Sequence, residues 1–325
     1  MRAIEYQGTG GVEVLVEAER PKPVPGTGEV LIKVAGFGLN RADVQQRIGV
    51  YPPPPGASDI PGLEVAGTIE AVGKDVDVNL IGQRVCALLA GGGYAQYVAV
   101  PAGHILQIPD QVDLVDAAGF MEVAATVVSN LFLEAKLVAG QNVLIHGGAG
   151  GIGSMAIQLC VAAGANVIVT ASSSAKIDHC LALGAHHGIN YHEEDFVLRA
   201  KELTSGKGVD VILDVVGAKY LDSNIKALAL DGTLVIIGLI GGARAELNIG
   251  LLMGKRARVI GTTLRARPAD QKSTIVSEVA ARVLPLLEAG TLDLAIDRRF
   301  SFTEVRLAHE YFDSGTHTGK IVVMT

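Results

Sequence analysis

The stretch Asn142-Val-Leu-Ile-His-Gly-Gly-Ala-Gly-Gly-Ile-Gly153 decides the fold of this chain, because it joins an apolar run directly to a cluster of glycines. The apolar run predicts a buried strand, and helical spacing over Ser154–Ala163 predicts a helix after the loop. Gly148, Gly150 and Gly153 fit the spacing G-x-G-x-x-G. In this context the first glycine allows a tight turn, the second a close approach to a pyrophosphate, and the third close packing of helix on strand. The stretch therefore predicts a nucleotide-binding loop, and the alternative is a turn that serves packing alone.

The pattern after the loop alternates between strands and helices. Helical spacing fills the gaps between apolar runs, for example at Ala175–Leu183 and Phe196–Leu203. Strands joined by helices of about 10–15 residues form a parallel sheet with helices on both faces. Six such strands make a complete dinucleotide-binding domain. The six predicted strands are Asn142–His146, Asn166–Thr170, Gly188–Asn190, Val209–Asp214, Thr233–Gly238 and Val259–Thr262.

Both ends of the chain predict a second, β-rich domain. Short β-branched runs such as Glu29–Val34 lie between glycines and prolines in residues 1–122. The tail predicts a helix at Ile275–Leu287 and a strand at Lys320–Met324. A complete six-stranded sheet leaves this last strand without a partner, so we expect it to return to the first domain. A helix is also predicted over 126–138, with an apolar face that comprises Val127, Leu131, Ala135 and Val138.

Composition excludes several classes of protein. The 325 residues suffice for two domains, and 49% hydrophobic against 19% charged residues exclude a disordered chain. A net charge of −7 and the absence of tryptophan disfavour nucleic acids and anionic membranes as partners. We expect neither a signal peptide nor a membrane-spanning segment. The cysteines Cys86, Cys160 and Cys180 form no C-x-x-C pair, which favours a reducing compartment and predicts a cytoplasmic protein.

The end of the second predicted strand indicates which dinucleotide is bound. NAD sites usually carry an acid about 20 residues after the glycines, on the ribose 2′-hydroxyl. Residues Thr170-Ala-Ser-Ser-Ser-Ala-Lys176 contain no acid. Ser172 and Lys176 are suited to a 2′-phosphate, and Tyr191 is suited to adenine or to the same phosphate. The sequence therefore favours NADPH, although the serines are equally suited to cap the helix that starts near Ala175.

Further motifs occur together along the whole chain: Leu39–Asp43, Tyr51–Ser58, Pro61–Gly67, Gly91–Tyr97, the glycine loop, Ile189–Tyr191, Leu213–Gly217 and Gly319–Val322. Together they resemble the zinc-free quinone oxidoreductase branch of the medium-chain dehydrogenase/reductase family. Within that branch, Tyr51–Ser58 and Leu213–Gly217 are similar to the tumour-suppressor-inducible quinone oxidoreductases, relatives of zeta-crystallin. The motifs are specific for the branch and not for a substrate.

The resemblance implies an α/β protein with two domains. Residues 1–122 and 264–325 are expected to form a GroES-like catalytic domain, and residues 123–263 a Rossmann domain that binds NADPH on a doubly wound parallel sheet. The resemblance also implies an active-site cleft between the domains and a homodimer formed through the nucleotide-binding domains. One departure is Gly150, where the similar enzymes have a serine, so no role of that serine is transferred.

The resemblance also bears on metal binding. Zinc-dependent members carry a cysteine at the position of Asn40 and a histidine at the position of Leu63. An amide and an aliphatic side chain do not replace the thiolate and imidazole of a catalytic zinc, so no metal is expected. The acceptor must then be easy to reduce without a Lewis acid, which fits quinones and activated enones. Glu64 is interpreted as a structural acid paired with Arg41.

Two residues are candidates for the chemistry at the substrate. Tyr51, a suitable proton donor, is predicted to orient or protonate the substrate oxygen, and the alternative is a lid packed on the proline loop. Asn40 is predicted to bond the nicotinamide ribose or a substrate carbonyl, and the alternative is an Asx turn before Arg41. Thr126 is expected to start a helix and meet a cofactor phosphate. The cofactor contacts implied by the resemblance are Thr126, Gly150, Gly151, Ile152, Ser172, Lys176, Tyr191, Gly238, Leu239, Leu264 and Lys320. Further candidate cofactor contacts are Asn40, Gly148, Gly153 and Gly217.

The function that follows is NADPH-dependent reduction of small quinones, ortho-quinones above all, without a metal. Reduction of enoyl compounds or 2-alkenals uses the same fold and cofactor, and no sequence feature separates it from quinone reduction. A second alternative is a non-enzymatic NADPH-binding or RNA-binding protein of the crystallin type. The net charge of −7 and the absence of a basic stripe disfavour RNA binding.

Overall fold

The computed structural model describes all residues from Met1 to Thr325. Its strands in chain order are β1 (Arg2–Tyr6), β2 (Leu15–Glu19), β3 (Glu29–Gly38), β4 (Glu64–Val72), β5 (Arg84–Leu88), β6 (Tyr97–Pro101), β7 (Ile105–Gln107), β8 (Asn142–His146), β9 (Asn166–Ala171), β10 (His187–Asn190), β11 (Val209–Asp214), β12 (Leu228–Ile236), β13 (Arg258–Gly261), β14 (Ile296–Ser301) and β15 (Lys320–Met324). Its α-helices are α1 (Arg41–Arg47), α2 (Met121–Val127), α3 (Gly151–Ala162), α4 (Ser174–Ala182), α5 (Phe196–Leu203), α6 (Leu221–Ala227), α7 (Ile249–Lys255), α8 (Ala269–Glu288) and α9 (Val305–Ser314). No helix has the length and apolar character needed to span a bilayer.

The chain divides into two compact units. Unit 1 comprises Met1–Ala125 and Leu264–Thr325, and unit 2 comprises Thr126–Thr263. Each unit contains a complete sheet of its own.

The sheet of unit 2 has six parallel strands in the order β10-β9-β8-β11-β12-β13. All six predicted strands are present. The strand β8 lies in the middle, where Val143, Leu144 and Ile145 are fully buried because both faces of the sheet are covered. The chain reverses its direction of winding at β8, so ligands of such sheets bind at the carboxyl end of this strand. The predicted α/β fold with a doubly wound parallel sheet is confirmed.

The larger sheet of unit 1 has seven strands, and β3 is its longest. The terminal strand β15 pairs with β3 in antiparallel fashion, with Val322 opposite Gly38, and with β14 in parallel. The predicted return of Lys320–Met324 to the first domain is therefore confirmed. Strands β1 and β2 form a separate two-stranded sheet.

The helix predicted over 126–138 differs from the structure. The helix α2 starts earlier, at Met121, and continues as a π-helix over Val128–Glu134. The side-chain amide of Asn130 donates to the carbonyl of Thr126 at 2.8 Å, and it thereby enters the helical hydrogen-bond ladder. The predicted apolar face is buried at Val127, Leu131 and Ala135, but Val138 is 58% exposed because the helix has already ended.

Candidate functional site

The glycine loop of unit 2 turns the chain from β8 into α3. Gly148 lies in the tight turn as predicted, and the left-handed position of that turn is Gly147, with φ = +71°. Gly148 must be glycine because a Cβ would lie 2.7 Å from the Cβ of Val169 on the neighbouring strand. Its amide donates to the carbonyl of Thr170 at 3.0 Å, which binds the loop to β9.

The other two glycines of the motif meet different surroundings. A Cβ on Gly153 would lie 2.3 Å from the carbonyl oxygen of Gly148, so this glycine lets the helix approach the loop backbone. A Cβ on Gly150 would find no atom nearer than 3.6 Å, so the space beside this residue is open. Gly150 is the N-cap of α3, and Gly151 and Ile152 form its first turn. Free amides at the start of a twelve-residue helix beside open space suit a pyrophosphate, so these residues fit a dinucleotide.

The predicted 2′-phosphate residues lie at the carboxyl ends of β9 and β10. Ser173 caps α4, because its hydroxyl accepts a hydrogen bond from the amide of Lys176 at 3.4 Å. The cap predicted among the serines is therefore formed by Ser173, and the neighbouring Ser172 is half-buried. The amide of Tyr191 donates to the carbonyl of Ala171 at 3.2 Å, so this tyrosine begins its loop beside the end of β9. The structure thus brings Ser172, Lys176 and Tyr191 to one edge of the sheet.

The predicted residues after β11 and β12 lie in two packed loops. Asp214 accepts hydrogen bonds from the amides of Val216 at 2.7 Å and Gly217 at 3.0 Å. Gly217 has φ = +78°, and a Cβ on it would lie 3.0 Å from the carbonyl oxygen of Gly238. Leu239 is 52% exposed at the end of this loop pair.

Thr126 differs from its prediction. It is the last but one residue of α2 and does not start a helix. Its carbonyl accepts hydrogen bonds from the side chains of Asn130 and Ser129, and its own side chain is buried.

Sequence reasoning missed His146, which lies under the glycine loop. Its ring contacts the hydroxyl of Thr170 at 3.0 Å and the amide oxygen of Asn224 at 2.7 Å. Burial lowers the pKa of His146 to about 4, so the ring is neutral. A polar residue at the end of an apolar strand was the available signal.

In unit 1, Tyr51 lies at the start of the proline loop. The guanidinium of Arg265 lies over its ring at 5.6 Å. Arg265 in turn donates to the carbonyl of Ala90 at 2.8 Å and to Oε1 of Gln46 at 2.7 Å. Sequence reasoning missed Arg265, which holds Tyr51 from one side.

The cluster that surrounds Lys320 is buried in unit 1. The ammonium of Lys320 donates to Oε1 of Glu64, to Oδ1 of Asn40 and to the carbonyl of Leu39, at 2.7–2.8 Å. All three donors are therefore engaged. The role of Lys320 as a cofactor contact stays a prediction. It requires the ammonium to give up one of these three hydrogen bonds for one to the cofactor.

Asn40 and Glu64 complete this cluster. The amide nitrogen of Asn40 donates to Oε1 of Glu64 at 2.9 Å, so both ends of the amide are bonded. Asn40 also caps α1, and its backbone amide donates to Asp43 at 2.8 Å. Glu64 is a structural acid as interpreted, but its partner is Lys320, and the pairing with Arg41 was wrong. Arg41 instead lies over the ring of Phe312 at 4.7 Å.

Two further predicted positions lie in unit 1. Leu63 and Leu264 are both buried, and the carbonyl of Leu264 accepts the amide of Arg267 at 3.1 Å. The structure has no group of three or more His, Cys, Asp or Glu side chains arranged for a metal ion.

Glu122 is the third residue that sequence reasoning missed. Its backbone amide donates to Oε2 of Glu64 at 2.9 Å. Burial, and next the charge of Glu64, raise the pKa of Glu122 to about 8. The available signal was an isolated acid within the apolar run Ala117–Val128.

Comparison with known proteins gives consistent matches along the whole chain. Residues 26–110 match the alcohol dehydrogenase GroES-like domain, and residues 151–281 match the zinc-binding dehydrogenase family. The quinone oxidoreductase of Homo sapiens is 30% identical over 327 residues, covering 100% of this chain and 98% of the relative. A 2-haloacrylate reductase of Burkholderia sp is 31% identical and covers 97% and 96%. The structure of the Escherichia coli quinone oxidoreductase complexed with NADPH has a TM-score of 0.90, with 28% identity and full coverage of both chains.

Proposed function

Since this chain belongs to the quinone oxidoreductase branch of the medium-chain dehydrogenase/reductase family, we propose that it reduces small quinones, and ortho-quinones above all, with NADPH and without a metal. The coarser activity, that of an NADPH-dependent oxidoreductase, is common to this branch. The finer placement beside the tumour-suppressor-inducible enzymes stays a prediction.

The observation that carries the proposal is the open space at Gly150, beside the free amides that begin α3. A helix N-terminus attracts the charge of a pyrophosphate, and the absent Cβ leaves room for it. When bound, NADPH supplies the hydride, and the protein supplies orientation and a dry site.

The preference for NADPH over NADH is assigned to the edge of the sheet that carries Ser172 and Lys176. Neither residue is an acid, so neither of them repels a 2′-phosphate. The hydroxyl of Ser172 is suited to donate to a phosphate oxygen, and the ammonium of Lys176 supplies a compensating charge. Tyr191 begins beside them and is suited to adenine.

Tyr51 is proposed to deliver a proton to the substrate oxygen. Burial raises the pKa of Tyr51, so the phenol keeps its proton at neutral pH. Arg265 fixes the ring by lying over it. Asn40 is proposed to contact the cofactor ribose or the substrate carbonyl by exchange of one of its two side-chain bonds.

The test is NADPH oxidation by the purified protein in the presence of a metal chelator. Three acceptors are compared: 1,2-naphthoquinone, 1,4-benzoquinone and a 2-alkenal, each also with NADH. Fast turnover of the ortho-quinone with NADPH alone is expected. The proposal is contradicted if turnover requires an added metal, or if the protein reduces none of the quinones.

The similarity to a 2-haloacrylate reductase favours a second candidate, the reduction of an activated carbon–carbon double bond. There the hydride goes to the β-carbon, and the proton goes to the α-carbon instead of to an oxygen. Turnover of the alkenal alone, with no quinone reduced, would favour this candidate.

We further propose that the protein is a homodimer formed through the edge strand β13 of unit 2. This strand pairs with β12 on one side only, so its other edge offers unpaired backbone groups. Apolar side chains are exposed on and beside it, with Met253 and Ile249 more exposed than Val259. The cytoplasmic location inferred from the cysteines stays a prediction, and all three cysteines are buried.

A further inference from the structure

The helix α8 of unit 1 carries a lysine on its buried face. The buried positions of this helix follow helical spacing, and they include Lys272, Ile275, Val276 and Val279. Lys272 therefore stands where an apolar side chain is expected, and it is only 5% exposed. Lysine is almost never this buried unless its charge is paired, because removing an ammonium group from water is costly.

The protein itself provides no such pair for Lys272. No hydrogen bond and no ion pair engages its ammonium group. Burial lowers the pKa of Lys272, and among the charges that act on it, that of Glu122 opposes this shift and that of Arg265 adds to it. The pKa of Glu122 is itself raised to about 8, so this acid is neutral at physiological pH. Lys272 is thus a buried donor without an acceptor.

Lys272 lines a groove that lies entirely within unit 1. The groove has a volume of about 410 Å³, and sites for small molecules span about 300–1,000 Å³. Its walls also include residues 88–92 and the whole of strand β6. Neither Tyr51 nor Asn40 lines it. The groove is therefore a different part of unit 1 from the residues proposed for the chemistry.

The charged groups of the groove favour an anion. Its lining contains no aspartate or glutamate, and its cationic groups are the amino terminus of the chain, Arg20 and Lys272. The first two are already paired with acids outside the groove. Burial lowers the pKa of His104, so its ring is neutral, and Nε2 donates to the carbonyl of Ala269 at 2.9 Å. Lys272 is therefore the one unpaired charge of the groove.

The remaining walls limit the kind of anion. They are mostly apolar, and their side chains include Ile60, Leu88, Leu89, Val98 and Val100. Such a surface favours a hydrocarbon body, whereas one buried ammonium group compensates one negative charge. A phosphate dianion would need a second unpaired cation, which the groove lacks.

We propose that this groove binds a small organic monocarboxylate. Its carboxylate accepts a hydrogen bond from the ammonium of Lys272, and its apolar body packs against β6 and residues 88–92. The bound carboxylate supplies the acceptor that this buried donor lacks in the protein alone. The inference does not depend on the proposed function, because the groove lies in unit 1 and its test needs neither cofactor nor quinone.

Isothermal titration calorimetry of the cofactor-free protein tests the site with 4-phenylbutyrate as the probe. The matched neutral compound is 4-phenylbutyramide, and inorganic phosphate offers charge without an apolar body. Saturable binding of the carboxylate at one site is expected, with the amide and phosphate at least about tenfold weaker. The proposal is overturned if the carboxylate does not saturate a site, or if the amide or phosphate binds as tightly.

Two variants test the role of the lysine. Lys272→Met should weaken the binding of 4-phenylbutyrate by about 10- to 150-fold, the effect of losing a hydrogen bond between charged groups. Lys74→Met makes the same change at an exposed lysine of unit 1 and should bind the probe like wild type. Unchanged binding by Lys272→Met would overturn the proposal.

Thermal unfolding without the probe separates binding from a structural role. Lys272→Met should melt at or above the temperature of wild type, because methionine removes an unpaired charge from a core position. A lower melting temperature than that of Lys74→Met would show that the lysine stabilises the fold, and would overturn the proposal. Tyr51→Phe should bind the probe like wild type. Loss of binding in that variant would place the probe at the candidate active site instead.

Discussion

Replacing Lys320 by methionine tests whether this lysine stabilises the fold or binds the cofactor. Methionine keeps a similar length and removes the charge and all three donors. The carboxylate of Glu64, fully buried, then loses its only ion-pair partner. Removing one partner of a buried ion pair costs about 3–5 kcal/mol, because the remaining charge is not compensated. NADPH affinity should change less than twofold if the lysine is purely structural.

Thermal unfolding followed by circular dichroism measures this cost. For a unit of this size, about 1 kcal/mol corresponds to about 2–4 °C, so the melting temperature should fall by about 6–20 °C. The control is Lys22→Met, because Lys22 pairs with Glu70 at the surface of the same unit. Loss of this exposed pair should lower the free energy of unfolding by less than about 1 kcal/mol. The double variant Glu64→Gln, Lys320→Met removes both charges and should recover part of the loss.

The reasoning fails if Lys320→Met melts within about 2 °C of wild type. A loss of NADPH affinity of tenfold or more, with unchanged stability, would show that the lysine contacts the cofactor. The structural assignment of the buried pair would then be wrong.

Three further predictions concern unit 2. Lys176→Ala should remove about 1.5–3 kcal/mol of binding free energy and so raise the Michaelis constant for NADPH by about 10- to 150-fold. The Michaelis constant for NADH should not change. Equal effects on both cofactors in steady-state kinetics would contradict the 2′-phosphate assignment. Gly153→Ala should destabilise the protein by at least about 3 kcal/mol, because its Cβ would lie 2.3 Å from a backbone oxygen. Gly150→Ser should fold with the stability of wild type, because the space beside Gly150 is open. Similar melting temperatures for Gly153→Ala and Gly150→Ser would refute this contrast. Val259→Glu should convert the proposed dimer to monomers by placing like charges on facing edges, and light scattering that detects an unchanged dimer would exclude β13 as the interface.

The sequence by itself determined the sheet of unit 2 and its glycine loop. Parallel strands covered on both faces need continuous apolar runs, and those runs are local features that can be read along the chain. The nucleotide-binding loop could also be predicted from Gly148, Gly150 and Gly153, because a strand, a loop and a helix follow one another without interruption. The return of β15 followed from a count of strands, since a complete sheet had no place for it.

Only the tertiary structure decided which side chains meet. Glu64 and Lys320 are 256 residues apart, and the prediction from sequence had paired the acid with Arg41 instead. The pairing of β15 with β3 places Lys320 beside Asn40, which no local pattern records. In the π-helix that continues α2, the side chain of Asn130 enters the hydrogen-bond ladder by donating to the carbonyl of Thr126.

The state of Glu122 is likewise a property of the folded chain. An isolated acid in an apolar run is visible in the sequence, but its pKa depends on burial and on Glu64, Asp43, Lys320 and Lys272, which four other segments contribute. Local periodicity predicts the strands and helices because the spacing of apolar residues within each segment reflects which faces are buried. Charge compensation in the interior depends on long-range packing, and therefore only the three-dimensional arrangement determines it.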